Sequence, residues 1–209
     1  MSVITVNSEH QYDVVIGNDW LSELVSTLFG YSRVAIVFSE TQKESIPKIS
    51  IDSEVHYFPM PDGEAAKSTQ TTTKMWDWMG AAGFTRSDVV VGIGGGTVTD
   101  VAGFLSATWM RGIDWIAVPT TLAGMVDAAI GGKTGVNAKS GKNLIGSFYS
   151  PSEVLIDLSF LNTLPKRDLS AGMAEVIKCG FIADYRILNL AQDDDLDYQQ
   201  LIARSIKVK

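Results

Sequence analysis

GIGGGTVTD, residues 92–100, places three consecutive glycines between an apolar run and the start of a predicted helix. Ordered glycine costs backbone entropy, so this stretch serves a purpose that other residues cannot. A strand, a glycine turn and a helix present free backbone N–H groups and the positive helix end to an anion. Gly94, Gly95 and Gly96 therefore fit a dinucleotide pyrophosphate. Because the spacing is GxGGG rather than GxGxxG, a tight packing turn explains the motif alone equally well.

Strands and helices are predicted to alternate on both sides of this turn. SVITV and YDVVIG indicate a hairpin near the start of the chain, and most later strands are continuously apolar, which is typical of strands buried on both faces. Helices are predicted over residues 19–29, 69–83 and 97–110. Strands that alternate with helices pair in parallel. The pattern predicts an α/β fold, a Rossmann-like open sheet over residues 1–164.

Only helices are predicted beyond this sheet. Residues 165–209 indicate the beginning of an all-helical C-terminal domain, and its last helix runs to Lys209 without a cap or stop signal. We therefore expect this second domain to be truncated.

Composition and charge exclude several classes of partner. The chain carries 17 Lys and Arg against 24 Asp and Glu, a net charge of −7, and its basic residues form no stripe. Nucleic acid and anionic membranes are therefore not expected partners. Without a signal-peptide pattern or an apolar run of about 18 residues, a cytoplasmic protein is expected. The single cysteine, Cys179, excludes an internal disulfide and is expected to be a buried apolar residue.

Four further clusters of polar residues are candidates for a ligand site. Thr120, Thr121, Asp127 and Lys133 follow a predicted strand, at the edge where open α/β sheets bind ligands. SGKNLIGSF, residues 140–148, adds Lys142 and Asn143, a cation and an amide suited to phosphate or carboxylate.

The other two clusters have simpler explanations when taken alone. PDGEAAKS, residues 61–68, offers Glu64 and Lys67 but is also typical of a surface loop. AGMAEVIK, residues 171–178, places Glu175 and Lys178 on one helix face, as a salt-bridged pair or as a metal carboxylate beside a cation. Asp100, one turn into its helix, fits either a dipole interaction or a ligand hydroxyl.

DGEAAKS, GIGGGTVTDVAGFLSATWMRG, VPTTLAGMVDAAIGGKTGVN, GKNLIGSF and TLPKRDLSAGMAEVIK, in this order, closely resemble the 3-dehydroquinate synthase family. The resemblance implies a lyase of the shikimate pathway and of aromatic amino acid biosynthesis. It also implies an N-terminal NAD-binding domain, a helical domain holding zinc or cobalt, and a homodimer.

The resemblance also implies a role for each matching residue. Glu64 and Lys67 match cofactor positions near the adenosine and ribose end, and Phe160, Thr163 and Leu164 match positions on the nicotinamide side. The remaining cofactor positions are Gly94, Gly95, Gly96, Asp100, Thr120, Thr121, Lys133 and Lys142. Matching substrate-binding or catalytic positions are Asp127, Lys133, Lys142, Asn143, Lys178 and Arg111, the last reaching the neighbouring subunit. Glu175 matches the carboxylate metal ligand. Where the family often carries an aspartate, this chain has Ser39 and Glu40, so the ribose contact there is in doubt.

The implied reaction converts 3-deoxy-D-arabino-heptulosonate 7-phosphate to 3-dehydroquinate and phosphate. NAD transiently oxidises a ring alcohol, phosphate is eliminated, NADH returns the hydride, and an intramolecular aldol reaction closes the carbocycle. The family's two metal histidines lie beyond KVK, residues 207–209, whereas His10 and His56 are expected to be ordinary strand or loop residues. We therefore expect the chain alone to be catalytically incomplete.

Three alternative functions share part of this pattern. A sister sugar-phosphate cyclase would use similar motifs on another substrate. A metal-dependent alcohol or glycerol dehydrogenase would share the glycine turn and the threonines, although GGKTGVN and GKNLIG argue against it. A non-catalytic NAD-binding module would bind the cofactor without the substrate.

Overall fold

The computed structural model describes residues 1–209 and contains one large sheet, a separate hairpin and six α-helices. The strands are β1 (Ser2–Asn7), β2 (Gln11–Gly17), β3 (Arg33–Ser39), β4 (Glu54–Met60), β5 (Val89–Gly94), β6 (Asp114–Pro119), β7 (Lys133–Ala138), β8 (Gly141–Phe148) and β9 (Glu153–Asp157). The helices are α1 (Trp20–Thr27), α2 (Thr69–Ala81), α3 (Gly96–Thr108), α4 (Lys166–Ile182), α5 (Tyr185–Leu190) and α6 (Tyr198–Val208). No helix is long and apolar enough to cross a membrane.

The large sheet has the order β1-β2-β9-β6-β5-β3-β4. From β2 across the sheet to β4, every pair of neighbouring strands is parallel. At the other edge, β1 pairs antiparallel with β2 and forms the predicted hairpin. Every residue of β5 is buried, as its continuous apolar run predicts. The α/β fold and the open sheet expected from the sequence are therefore confirmed.

Apolar side chains cover both faces of the sheet. One cluster contains Leu24 of α1 and Leu28 directly after it. The larger cluster contains apolar residues of α3 together with Val176, Cys179 and Leu201 of the C-terminal helices. Cys179 is buried, as expected, and burial raises the pKa of its thiol. The C-terminal helices thus pack directly on the core of the sheet, and a domain boundary at residue 165 stays a prediction.

The helix predicted over residues 97–110 ends earlier, at Thr108. Met110, Arg111 and Gly112 follow with φ of 47°, 70° and 131°. Left-handed φ values are incompatible with an α-helix, so the chain turns sharply here before entering β6. This turn lies at the amino end of β6, whereas the glycine turn lies at the carboxyl end of the neighbouring parallel strand β5.

Candidate functional site

The glycine turn lies where β5 ends and α3 begins. Gly95 caps α3 without a side-chain hydrogen bond, and the Thr120 N–H donates to the Gly94 carbonyl at 2.9 Å. A Cβ on Gly94 would lie 2.5 Å from Cγ2 of Val98, whereas a Cβ on Gly95 would lie 3.1 Å from Cγ2 of Thr121. Gly94 is therefore required for packing, which agrees with the interpretation of the motif as a tight packing turn. A Cβ on Gly95 or Gly96 would also approach a side chain closely, at 3.1 Å or 3.0 Å, but both residues line a cleft, which suits the phosphate-binding explanation.

A cleft of about 670 Å³ opens in front of this turn, at the carboxyl ends of the parallel strands. Its volume is within the usual range for small-molecule sites. The site residues that the sequence predicted and that line this cleft are Gly95, Gly96, Thr120, Thr121, Phe160, Thr163 and Leu164. The structure therefore brings seven of the expected cofactor residues to one cavity.

A buried ion pair lies beside the cleft. Nζ of Lys67 is 2.5 Å from Oδ2 of Asp100 and also donates to Oδ1 of Asn143. The Lys67 side chain is only 5% exposed. Burial raises the pKa of Asp100, against the opposing effect of the Lys67 ammonium. The predicted cofactor residues Lys67 and Asp100 thus share a contact with the predicted substrate residue Asn143.

A more exposed network extends from this pair. Nδ2 of Asn137 donates to Oε1 of Glu64 at 2.8 Å, and Nζ of Lys142 lies 3.6 Å from the same oxygen. The Asn137 hydrogen bond, with the Lys142 charge as a smaller cause, lowers the pKa of Glu64. Asn137 also accepts from the backbone N–H of Asn143 at 2.9 Å, so it holds both strands of the β7–β8 hairpin.

The β7–β8 hairpin itself was not predicted. It is antiparallel with a bulge between Val136 and Ala138, and Asn143 has a φ of 54°, which asparagine tolerates better than most residues. A cavity of about 380 Å³ on this hairpin is lined by Lys133, Asn143 and Asp100. Its glycine-rich strands lack the β-branched alternation that marks strands in sequence, which is why the pattern was missed.

The C-terminal helices carry a second group of charged residues. Lys178 contacts Glu175 one turn before it on α4, and its Nζ lies 3.9 Å from Oδ1 of Asp127. Lys209 also contacts Asp127. The hydrogen bond to Glu175 raises the pKa of Lys178. These side chains are one-third to one-half exposed, apart from Lys209.

The described residues do not fit a complete metal site. A catalytic zinc site takes about three protein ligands, and no three His, Cys, Asp or Glu side chains come together in this chain. His56 packs against Trp78 and Phe84, and His10 contacts the Pro151 carbonyl, both away from Glu175. Glu175 is therefore a single candidate ligand.

Arg111 lies apart from the other predicted residues. It is exposed, forms no salt bridge, and follows α3, whose 13 residues separate it by about 20 Å from the glycine turn. Within one chain the structure does not bring Arg111 to the site. Its contact with a neighbouring subunit stays a prediction.

The expected division of the cofactor site into an adenosine end and a nicotinamide end stays a prediction. Glu64 and Lys67 contact Asn137 and Asn143 of the β7–β8 hairpin. Phe160, Thr163 and Leu164 lie in the cleft with Trp20, whose ring centroid is 5.9 Å from that of Phe160.

The sequence interpretation also missed three polar residues. Asp62 and Gln42 line the cleft, and Asn137 holds Glu64. Nε2 of Gln42 reaches Oγ1 of Thr120 at 3.3 Å, while its Oε1 is buried without a partner. Asp62 lies in the segment PDGEAAKS and Asn137 ends the segment GGKTGVN, but only the tertiary contacts identify them as candidate site residues.

Comparison with known proteins identifies related sequences. The model of the family described as 3-dehydroquinate synthase N-terminal matches residues 57–171. A curated 3-dehydroquinate synthase of Thermobifida fusca (strain YX) is 47% identical over 212 residues, covering 95% of this chain and 58% of the relative. The chain thus spans less than two thirds of the length of that relative.

Two solved structures share the fold closely. A 2-deoxy-scyllo-inosose synthase complexed with carbaglucose-6-phosphate, NAD⁺ and Co²⁺ has a TM-score of 0.84 at 26% identity, covering 100% of this chain and 61% of that one. The 2-epi-5-epi-valiolone synthase from Streptomyces hygroscopicus subsp. jinggangensis 5008, with NAD⁺ and Zn²⁺ bound, has a TM-score of 0.83 at 29% identity, covering 98% and 62%. Both are similar to this chain along nearly its whole length.

Proposed function

This chain belongs to the 3-dehydroquinate synthase family, and we propose that it forms the cofactor-binding part of an enzyme that converts 3-deoxy-D-arabino-heptulosonate 7-phosphate to 3-dehydroquinate and phosphate. The observation that carries the proposal is the contact of Lys67 with both Asp100 and Asn143, which joins α3, the helix that follows the glycine turn, to the expected substrate residues on the hairpin. The 47% identity to a 3-dehydroquinate synthase, against 26% and 29% for two other cyclases, favours this substrate.

The cleft is proposed to bind NAD. Free backbone N–H groups at the start of α3 suit a pyrophosphate, and two structurally similar proteins were solved with NAD⁺. Bound NAD would supply a transient hydride acceptor. The nicotinamide end would lie towards Lys67, Asp100 and Asn143, because the reacting carbon must meet the substrate there. Phe160 and Leu164 would then face the adenosine end, the reverse of the expectation from sequence.

The substrate is proposed to bind between the hairpin and α4. Lys133, Lys142 and Asn143 on the hairpin and Lys178 on α4 provide cations and an amide for phosphate and carboxylate. The raised pKa of Lys178 keeps its ammonium charged at neutral pH. Asp127, already in contact with Lys178, would orient this cation or accept from a substrate hydroxyl.

The metal requirement is proposed to exceed what this chain provides. Glu175 would be one ligand to zinc or cobalt, and the chain brings no second and third ligand beside it. We therefore expect the chain alone to bind NAD without releasing phosphate, and the carbon–oxygen lyase activity to require further ligands.

A chimera tests the function directly. The chain replaces the aligned region of the Thermobifida fusca relative, and phosphate release from the heptulosonate phosphate is measured with NAD and Zn²⁺, beside the unaltered relative and the chain alone. We expect release by the relative and the chimera without net NADH, and NAD binding only by the chain. A folded chimera that releases no phosphate would overturn the proposal. NADH accumulation with glycerol or another polyol would favour the dehydrogenase alternative.

The state of assembly and the compartment are also proposals. A homodimer would allow the exposed Arg111 to reach the substrate site of the second subunit, since it lies far from the site of its own chain. Light scattering of the purified chimera would measure the mass. The acidic composition supports a cytoplasmic protein that binds neither nucleic acid nor membranes.

A further inference from the structure

The segment between Asp127 and Lys133 links two of the residues that the proposed function places at the substrate. Asp127 lies in a short π-helix, Gly124–Ala128, and Lys133 begins β7. Such π-helical turns are rare and occur frequently at functional sites. A turn of Gly131 and Gly132, with φ of 88° and 68°, lies between the two elements. The placement of this turn therefore affects both side chains.

The π-helix is held at its amino end by residues of the cofactor cleft. The N–H of Gly124 donates to Oγ1 of Thr121 at 3.1 Å, and Cβ of Ala128 lies 3.0 Å from the position of a Cβ on Gly96. The glycine turn that follows the π-helix has no side chains of its own to pack, and glycine is conformationally permissive. The end of the segment therefore needs an anchor from elsewhere in the fold.

Tyr12 on β2 supplies that anchor. Its Oη accepts from the N–H of Gly131 at 3.0 Å, although the two residues are 119 positions apart in the chain. Tyr12 is only 3% exposed, and burial raises the pKa of its phenol above the ordinary value, so the hydroxyl stays neutral at neutral pH. The Gly132 carbonyl in turn accepts from the N–H of Tyr149 at 2.7 Å. One buried hydroxyl and one main-chain group thus fix the turn.

The β1–β2 hairpin that carries Tyr12 is itself firmly attached. Strand β2 pairs with β9, Oγ of Ser8 lies 2.6 Å from Oγ of Ser150, and Nε2 of His10 lies 3.2 Å from the Pro151 carbonyl. The anchor of the turn therefore belongs to a rigid element of the sheet, which is the support that a precisely placed site requires.

We propose that Tyr12 is a positioning residue for the substrate site, and that its hydroxyl holds the glycine turn and thereby the placement of Asp127 and Lys133. Tyr12 lines neither the cofactor cleft nor the cavity on the hairpin, so it acts through the turn and not on a ligand. This inference rests on the proposed function of Asp127 and Lys133 as substrate residues.

Steady-state kinetics of the chimera with the Thermobifida fusca relative test this assignment. Tyr12→Phe removes the acceptor and retains the ring. Tyr31→Phe is the matched control, because the Tyr31 hydroxyl donates to Asp114 at 2.9 Å and its ring packs on the other apolar cluster. We expect Tyr12→Phe to raise KM for the heptulosonate phosphate about fivefold and to leave KM for NAD within about twofold, whereas Tyr31→Phe leaves both within about twofold. A smaller amount of folded enzyme would lower kcat without raising KM.

Amide hydrogen exchange of the purified chain measures the contact itself. In Tyr12→Phe the N–H of Gly131 loses its acceptor and should exchange about tenfold faster. The N–H of Gly124, which Thr121 holds, should exchange as in the parent. Unchanged exchange at Gly131 would show that Tyr12 does not hold the turn.

The outcomes separate this inference from the proposed function. If an active Tyr12→Phe chimera keeps the parent KM for the heptulosonate phosphate, the role of Tyr12 is wrong while the proposed function stands. If Tyr31→Phe raises this KM equally, the effect is not specific to the turn, and the inference fails as well. If the folded parent chimera releases no phosphate, the proposed function is wrong, and this inference fails with it. Thermal unfolding of each variant establishes that it is folded.

Discussion

The cofactor cleft and the charged group on the C-terminal helices hold their polar residues in different ways. Around the cleft, strand ends and a buried ion pair fix the side chains, and Lys67 is 5% exposed. On α4, Glu175 and Lys178 pair across one helical turn, and 34% and 47% of their side chains remain exposed. The cofactor side is thus organised by the fold itself. The residues on α4 are held by exposed contacts with each other and with Asp127.

The largest expected effect is on the buried pair. Lys67→Met leaves Asp100 buried without its cation, which should lower the free energy of unfolding by about 3 kcal/mol. The matched control Lys178→Met removes a half-exposed cation and should cost less than about 1 kcal/mol. Urea unfolding of both variants measures the difference. Equal losses would show that the two regions are held alike.

The glycine turn offers a test of packing against ligand binding. Gly94→Ala forces a Cβ to within 2.5 Å of Val98 and should lower the free energy of unfolding by about 1–3 kcal/mol. Gly95→Ala meets only Thr121, at 3.1 Å, and should mainly weaken NAD binding, because Gly95 and Thr121 both line the cleft. Unfolding and NAD titration of both variants separate the two effects. A large loss of stability in Gly95→Ala with unchanged NAD binding would contradict this division.

A smaller effect is expected at Glu64 and depends on pH. The hydrogen bond from Asn137 lowers the pKa of Glu64 from its ordinary 4.5, so the ionised carboxylate stabilises the fold above that value. This contribution is lost as the pH falls through the lowered pKa. Asn137→Ala should therefore reduce the pH-dependent part of the free energy of unfolding by less than about 1 kcal/mol. Urea unfolding of variant and parent at neutral and acidic pH measures the change, and a difference that grows at low pH would contradict it.

The smallest change in stability is expected at Glu175. Glu175→Gln removes one charge of an exposed pair and should alter the free energy of unfolding by less than about 0.5 kcal/mol. In the chimera the same change should nevertheless abolish phosphate release, because a carboxylate ligand is lost. A chimera that remains active would remove Glu175 from the proposed metal site.

The sequence was sufficient for the large sheet, because β5 and its neighbours are continuous apolar runs separated by helices with clear boundaries. It was also sufficient to gather the glycine turn with Thr120 and Thr121, since these residues end adjacent parallel strands. The hairpin could not be predicted, because its strands lack the residues that favour strands and β7 packs on α3, a contact that the local sequence pattern does not show.

The order of the site residues was likewise beyond the sequence. Glu64 and Asp62 are two residues apart, yet one carboxylate meets Asn137 and the other meets Thr41. Spacing in the chain gave no means of separating them. Only the tertiary contacts show that these two carboxylates face different neighbours.

The loop before α2 also joins two parts of the molecule mechanically. The Lys67 carbonyl accepts from the Asn137 N–H at 2.9 Å, and Ser68 forms a β-bridge with Asn137, so main chain and side chain of Lys67 both hold the hairpin. Any sliding of the hairpin along the sheet pulls Lys67 away from Asp100. A single displacement therefore disturbs the buried ion pair and the hairpin at the same time, so the two can be distorted only together.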